Sequence, residues 1–407
     1  VSGVISVEEH AADIMARVRP QEPEEIRTVD ASGRTLAASA RAGLDVPAFD
    51  NSAMDGFAVR AGDVAGARAD APRVLPVAAD IPAGPGSPDP LPPGAAARIM
   101  TGAPLPVGAD AIVPFEATRA GLADSLERAI VERPSAIGAH VRRRAEDVGV
   151  GDEVLPAGTA LGPLQVAALV AAGVARVRVA PRPRVVVVST GAELVAPGAA
   201  PRPGEIPDSN STLLALLARE CGAEVTAFRV GDDPEELARL VEAHAGADAI
   251  VTSGGVSQGA YEPVRLALAD RVDFRRVAMQ PGKPQAFGAL DGGALFFGLP
   301  GNPVSVAVSF ELFVRPALFA LQGRAATERP RLRLAAATGW RTPPARRQYL
   351  PVRVLREAWP WRVVPATGGG SGSHLAGGLG RAEGYAIVPE DVAAVAPGDV
   401  LDVMLVS

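Results

Sequence analysis

The chain has 407 residues, 48% of them apolar and 21% charged, a make-up that supports two to four folded domains with large cores. A formal charge of −6 and an aromatic content of 4% exclude the basic, ring-rich surface of a nucleic-acid-binding protein. The single cysteine, Cys221, excludes a disulfide framework and a cysteine-based metal site.

Taken in chain order, residues 1–20 carry a helical pattern with acids and a histidine but no apolar run, so no signal peptide is read there. Residues 45–140 hold short extended runs divided by Gly and Pro, the pattern of a β-rich domain. A second helical stretch covers 160–173, and the two helical stretches are expected to pack together outside that domain. From 181 the pattern alternates between strand and helix. Arg184 to Ser189 is a β-branched run suited to a strand buried on both faces. Asp208 or Ser209 caps a helix that ends at Cys221, and Glu224 to Val230 is a strand. Pro234 opens a helix to His244, and Ala247 to Thr252 is a strand that ends at Ser253-Gly254-Gly255. Leu295 to Gly298 is a strand and Val304 to Leu321 a long helix. The uncharged stretch Gly292 to Phe310 is interrupted by Pro300, Gly301, Asn302 and Pro303, so it reads as strand, turn and helix start rather than a membrane span. The last 80 or so residues alternate in short strands, Tyr349 to Val354 and Trp361 to Val364 among them, as in a small barrel. The expected fold class is α/β and multidomain, with a central open, mostly parallel sheet. A cytoplasmic protein with neither a membrane nor a nucleic-acid partner is expected.

Of 40 basic residues, only Lys283 is lysine, and asparagine occurs only as Asn51, Asn210 and Asn302. In a chain rich in Ala, Gly, Pro, Val and Arg, this scarcity marks positions where Arg, Asp or Ser cannot substitute. Ligands of open parallel sheets bind beyond the carboxyl ends of the strands. Four polar loops fall there: Ser189 to Glu193, Asp232-Asp233, Ser253 to Ser257, and Pro300 to Pro303. The small residues of Ser253-Gly254-Gly255-Val256-Ser257 leave backbone N–H groups open to a phosphate or other oxyanion. The acids Glu193, Asp208, Asp232, Asp233 and Glu262 on that rim point to a hard cation such as Mg²⁺. Asp208 also suits a helix cap, and Asp233 precedes a helix start. Lys283 supplies a compact positive charge for an oxyanion. Neither a P-loop nor a dinucleotide fingerprint occurs, and there is no nucleophile elbow.

Seven segments, in order along nearly the whole chain, resemble the molybdopterin molybdenumtransferase (MoeA) family, which includes the E domain of gephyrin. They are Asp45 to Ala58, Arg98 to Ala103, Gly108 to Val113, Ser189 to Leu194, Ser253 to Ser257, Pro281 to Pro284 and Gly298 to Pro303. The resemblance implies a four-domain subunit. An elongated, discontinuous domain would take residues 1–44 and 141–180, and a β-rich domain 45–140. The α/β molybdopterin-binding domain would span 181–327 and a C-terminal β-barrel 328–407. It implies insertion of molybdate into adenylylated molybdopterin with release of AMP, Mg²⁺ as cofactor, and a homodimer whose active site lies at the subunit interface. A molybdopterin adenylyltransferase is the implied delivery partner.

Carried over by position, Asp55, Glu193 and Lys283 would be catalytic. Thr101, Ser253, Gly254, Gly255, Ser257, Pro300, Asn302, Pro303 and Ser373 would bind substrate. Asp147, Asp208, Asp232 and Glu262 would hold metal, with Asp55, Thr101 and Asp147 reaching the cleft from the second subunit. Two positions depart from the family pattern: Glu262 stands where Asp is frequent, and Gln280 where a basic residue is frequent. Arg275 and Arg276 lie near Gln280 in sequence. Two other functions suit parts of the pattern. A molybdopterin adenylyltransferase suits the central domain but not the domains around it, and a non-catalytic molybdopterin-binding scaffold would bind without releasing AMP.

Overall fold

A computed structural model describes residues 3–121, 126–257, 262–367 and 376–406. At its centre a seven-stranded sheet runs in the order Val4–Ile5, Asp273–Val277, Pro284–Ala289, Leu295–Leu299, Ala249–Ser253, Arg184–Thr190, Glu224–Val230. The last four strands in that order are mutually parallel. Pro284–Ala289 runs antiparallel to Leu295–Leu299, so the connection that carries Lys283 emerges at the carboxyl ends of the parallel strands.

The run of valines explains the layering. Val185 and Val187 enter one core, Val186 and Val188 the other, and all four are buried, as the two-residue period of a strand requires. Buried residues of helix Ser209–Glu220 and of the long helix from Pro303 to Leu321 fill the first core. Those of Pro234–Ala243 and Pro263–Leu268 fill the second. The stretch Pro303–Leu321 is long and apolar enough to cross a membrane, but 83% of its apolar window is buried inside the protein. Its middle, Phe310–Val314, is π-helical, and there Glu311 meets Arg315 at 2.7 Å and Arg329 at 2.9 Å. Arg329 also reaches Glu220 at 2.9 Å, so an ion cluster ties the barrel's approach segment to two helices of the α/β unit. Removing one partner of such a buried group would leave an uncompensated charge.

The two helical stretches do not pack together. Ser6 and Glu9 form a reciprocal capping box that starts helix Val7–Arg17. Its buried stripe, Val7, His10 and Ile14, lies in the core of the α/β unit, and Val4–Ile5 extends the sheet edge. Helix Pro163–Ala171 instead sends Leu169 into a separate core with Ala31, Leu36 and Val179. A period of seven residues on one face places an apolar stripe but does not say which surface receives it.

In the β-rich lobe a five-stranded sheet is ordered Ala111–Pro114, Gly56–Val59, Ala96–Ile99, Arg73–Ile81, Arg128–Val131. The chain enters and leaves it through paired crossings, Asn51–Ser52 against Val141–Arg142, where Asp50 accepts hydrogen bonds from Arg143 Nη1 and Arg144 N. The C-terminal strands close into a small barrel, because Gly384–Val388 pairs with both Val400–Leu405 and Arg347–Leu355. Met279–Gln280, from the α/β unit, joins that barrel's sheet beside Arg347–Gln348.

His10 is 1% exposed and packs edge-on against Phe313. Burial, helped by the nearby Arg275 charge and opposed by Asp13, lowers its pKa to about 4. The unfolded chain, with a pKa near the ordinary value of about 6.5, then binds more protons than the fold between those limits. The stability that His10 contributes is therefore complete above about pH 6.5, declines as the pH falls toward 4, and amounts to about 3 kcal/mol in total. We expect the urea midpoint to drop between about pH 7 and about pH 5, and His10→Leu to flatten that drop; an equal drop in both proteins would contradict the assignment.

Candidate active site

A cavity of about 950 Å³ opens beyond the carboxyl ends of the four parallel strands, and all four polar loops line it, together with Gln280 to Pro284. The glycines in it are required by geometry. Gly254 has φ +92°, and a Cβ there would stand 2.8 Å from both the carbonyl and the hydroxyl oxygen of Thr190. Gly255 has φ +68°, and its Cβ would press on Val264 and Pro263 at 3.0–3.1 Å. Strand end and helix start thus approach closely. Within the loop Gly254 N donates to Leu299 O at 3.0 Å and Ser257 N to Glu262 Oε2 at 2.9 Å, which leaves Gly255 and Val256 as its N–H groups without an acceptor among the described residues.

Behind this loop lies a chain of hydrogen bonds. Ser189 Oγ donates to Asp208 Oδ1 at 3.0 Å, leaving Ser253 Oγ as the donor in its 3.2 Å contact with Ser189 Oγ. Asp208 Oδ1 also accepts from Ser211 N at 3.0 Å, and Oδ2 from Ser211 Oγ at 2.6 Å, which caps helix Ser209–Glu220. Asp208 is 4% exposed. Asp208 also lines the cavity, so beside the metal-ligand expectation it has a structural role, accepting from three protein donors.

The other acids differ. Glu193 and Asp232 line the cavity as exposed carboxylates, Glu193 folded over Gly191. Asp233 caps helix Pro234–Ala243 by accepting from Glu235 N at 2.9 Å. Glu262 Oε2 accepts from Ser257 N at 2.9 Å, so this longer side chain is engaged by the end of the Ser253–Ser257 loop. Among the described residues no three His, Cys, Asp or Glu side chains gather to hold a metal ion.

Lys283 lines the cavity half-buried, and among the described residues its ammonium has neither a carboxylate nor a hydrogen-bond partner. Its backbone is pinned, since its carbonyl accepts from Val277 N at 2.8 Å. Arg275 turns away to Asp13 and Asp273. One cation escapes sequence reasoning. Arg346, from the barrel, donates from Nη1 to Gln280 Oε1 at 2.7 Å, and Gln280 lines the cavity. The residues are 66 positions apart, and nothing local in the sequence links them. Pro300, Asn302 and Pro303, at the end of the neighbouring strand Leu295–Leu299, line the cavity as well.

Asp55, Thr101 and Asp147 do not line this cavity. Thr101 donates to Asp55 Oδ1 from its backbone N at 2.6 Å and from Oγ1 at 2.7 Å. These two hydrogen bonds hold the Asp55 carboxyl below the usual range although it is exposed. Asp147 is exposed just beyond the crossing, its N–H bonded to Val46 O at 3.0 Å. Ser373 lies outside the described residues, and Ala376, shortly after it, lines the cavity.

An α/β unit that offers open N–H groups, an unpaired ammonium and rim carboxylates at its strand ends, flanked by a β-lobe and a barrel, defines a multidomain anion-binding protein. Three family models match in succession: the MoeA N-terminal region (domain I and II) over residues 5–173, a probable molybdopterin binding domain over 186–320, and the MoeA C-terminal region (domain IV) over 333–406. The chain is 42% identical to molybdopterin molybdenumtransferase 2 of Mycobacterium tuberculosis and 37% identical to molybdopterin molybdenumtransferase 1 of the same species, covering 98% of each chain. It superimposes on the molybdopterin biosynthesis MoeA protein of Pyrococcus horikoshii with a TM-score of 0.84 at 27% identity, over 99% of this chain and 100% of that one. The chain belongs to the MoeA family.

The glycine geometry gives a paired test. Gly254→Ala should cost about 1–3 kcal/mol in urea unfolding, from the positive φ and the contact with Thr190. Gly301→Ala, whose Cβ would meet Gly254 only at 3.5 Å, should cost about 1 kcal/mol or less. Equal costs would mean that the Ser253–Ser257 loop does not depend on this backbone shape.

Proposed function

We propose that this chain is a transferase that inserts molybdate into adenylylated molybdopterin and releases AMP. The observation that carries the reading is Lys283: an ammonium, half-buried and without a partner among the described residues, that lines one cavity with the Ser253–Ser257 loop, in a chain of the MoeA family. A compact ammonium on a cavity wall, without a protein partner, suits a bound oxyanion.

The chain's own groups divide the work. The Gly255 and Val256 N–H groups and the Ser257 hydroxyl hold phosphate oxygens, with Ser253 anchoring the loop through Ser189, while Pro300, Asn302 and Pro303 shape the adjoining wall. Lys283 neutralises an oxyanion. Glu193 is placed to orient the oxygen that attacks the phosphoanhydride; the P–O bond breaks on the other side and AMP leaves. Mg²⁺ is usually held by one or two carboxylates together with substrate phosphates, so the open pair Glu193 and Asp232 fits it without a three-ligand cluster. When bound, the ion would offset phosphate charge.

Asp55, Thr101 and Asp147 enter through a second copy of the chain. In support, the exposed Asp55–Thr101 pair lies outside the strand-end cavity of its own chain. Helix Pro163–Ala171 also has no charged residue and leaves Leu164 80% and Val170 50% exposed, an apolar face that a second copy would cover. The reading includes a cytoplasmic site of action and a molybdopterin adenylyltransferase as the source of the adenylylated pterin.

Asp55→Asn and Lys283→Ala should each reduce molybdate-dependent AMP release at least about a hundredfold with the fold intact. If each site draws Asp55 from one subunit and Lys283 from the other, mixing and reassembling the two inactive proteins restores about a quarter of wild-type activity, because half of the dimers are mixed and each mixed dimer has one intact site. No restoration among mixed dimers would place the whole site in one chain and sink the shared-site reading.

A further inference from the structure

Asn210 has no part in the chemistry above, although it is one of only three asparagines in the chain. Its Nδ2 donates to the Gly301 carbonyl at 2.6 Å, across 91 residues. That bond ties the first turn of helix Ser209–Glu220 to the Pro300–Pro303 wall. Just before it, Ile206 N donates to Glu193 O and Asp208 N to Val195 O, both at 2.9 Å, which ties the same turn to the Glu193 wall. One short segment thus spans two sides of the cavity. The carbonyl accepts only from a donor, so the amide's orientation is determined, and Oδ1 is left buried without a partner. An unpaired buried acceptor is a net cost to folding. Serine at 210 would avoid that cost but is too short to reach Gly301, and aspartate would set oxygen against oxygen.

We propose that Asn210 is a positioning residue: its amide sets the separation between the Glu193 wall and the Pro300–Pro303 wall, and it is kept despite a penalty in folded-state stability. This rests on the insertase reading for its effect on turnover, but the clamp itself does not. Displacement of a wall by a fraction of an ångström acts on alignment of the reacting groups more than on affinity, which is spread over four loops.

Purified full-length Asn210→Ser and Asn210→Asp are compared with wild type in three measurements. Asn210→Ser should melt at the wild-type temperature or above it. Its kcat for molybdate-dependent AMP release should fall about 10- to 100-fold, with KM for adenylylated molybdopterin changed less than about threefold; Asn210→Asp should lose at least as much. Amide hydrogen exchange over residues 299–306, which needs no turnover, should be at least about tenfold faster in the serine variant. Unchanged exchange overturns the clamp. Unchanged kcat in an active wild-type background overturns the positioning role, as does a kcat loss matched by a fall in melting temperature. An inactive wild type with faster exchange in the variant would refute the insertase reading and leave the clamp standing.

Discussion

The buried carboxylate of Asp208 accepts hydrogen bonds from Ser189 Oγ, Ser211 N and Ser211 Oγ, and the strand-end geometry is arranged around it. A carboxylate so largely buried is met by donors, and here the N-terminus of helix Ser209–Glu220 supplies two of them and a favourable dipole. Through Ser189 it reaches Ser253, where the glycine loop begins, and the same turn continues to Asn210 and the Gly301 carbonyl. The loops that face the ligand are therefore joined behind the cavity wall, on a sheet whose valines are buried on both sides. Groups held this way need little reorganisation when charge develops, which is where most electrostatic stabilisation of a transition state originates.

On that floor the charges are unevenly set. The chain carries −6 overall, and Glu193 and Asp232 stand on the rim, so a polyanionic ligand needs cations nearby. Lys283 is pinned by its backbone to Val277, and the segment before it, Met279–Gln280, forms part of the barrel's sheet. The barrel thus holds the segment before the lysine, by strand pairing and by the Arg346 bond to Gln280. Gln280 accordingly anchors a guanidinium of the barrel.

Much of the α/β unit was legible in the sequence because its signals are local. Arg184 to Thr190, helix Ser209–Glu220 and the turn Pro300–Pro303 announce themselves by an apolar run, a cap and a pair of prolines. The Ser253–Ser257 loop was legible because glycine at a strand end has a conformational reason. Pairings between distant segments were not. Val4–Ile5 on the sheet edge, the antiparallel pair around Lys283 and Met279–Gln280 in the barrel leave no periodic trace in the chain. Acids were the least legible: Asp208, Asp232 and Glu262 look alike in sequence, but one is a buried cap, one an open rim carboxylate and one an acceptor for Ser257 N. Which of these a carboxylate becomes depends on donors supplied by other segments.

The central claim is that Lys283 and the strand-end loops serve a molybdate-dependent cleavage. The most direct measurement is AMP release from adenylylated molybdopterin by the purified wild-type protein with Mg²⁺, with and without molybdate. The account predicts release that requires molybdate and falls when Mg²⁺ is chelated. Tight binding of the adenylylated pterin with no release in either condition would contradict it and identify the cavity as a binding site without the chemistry.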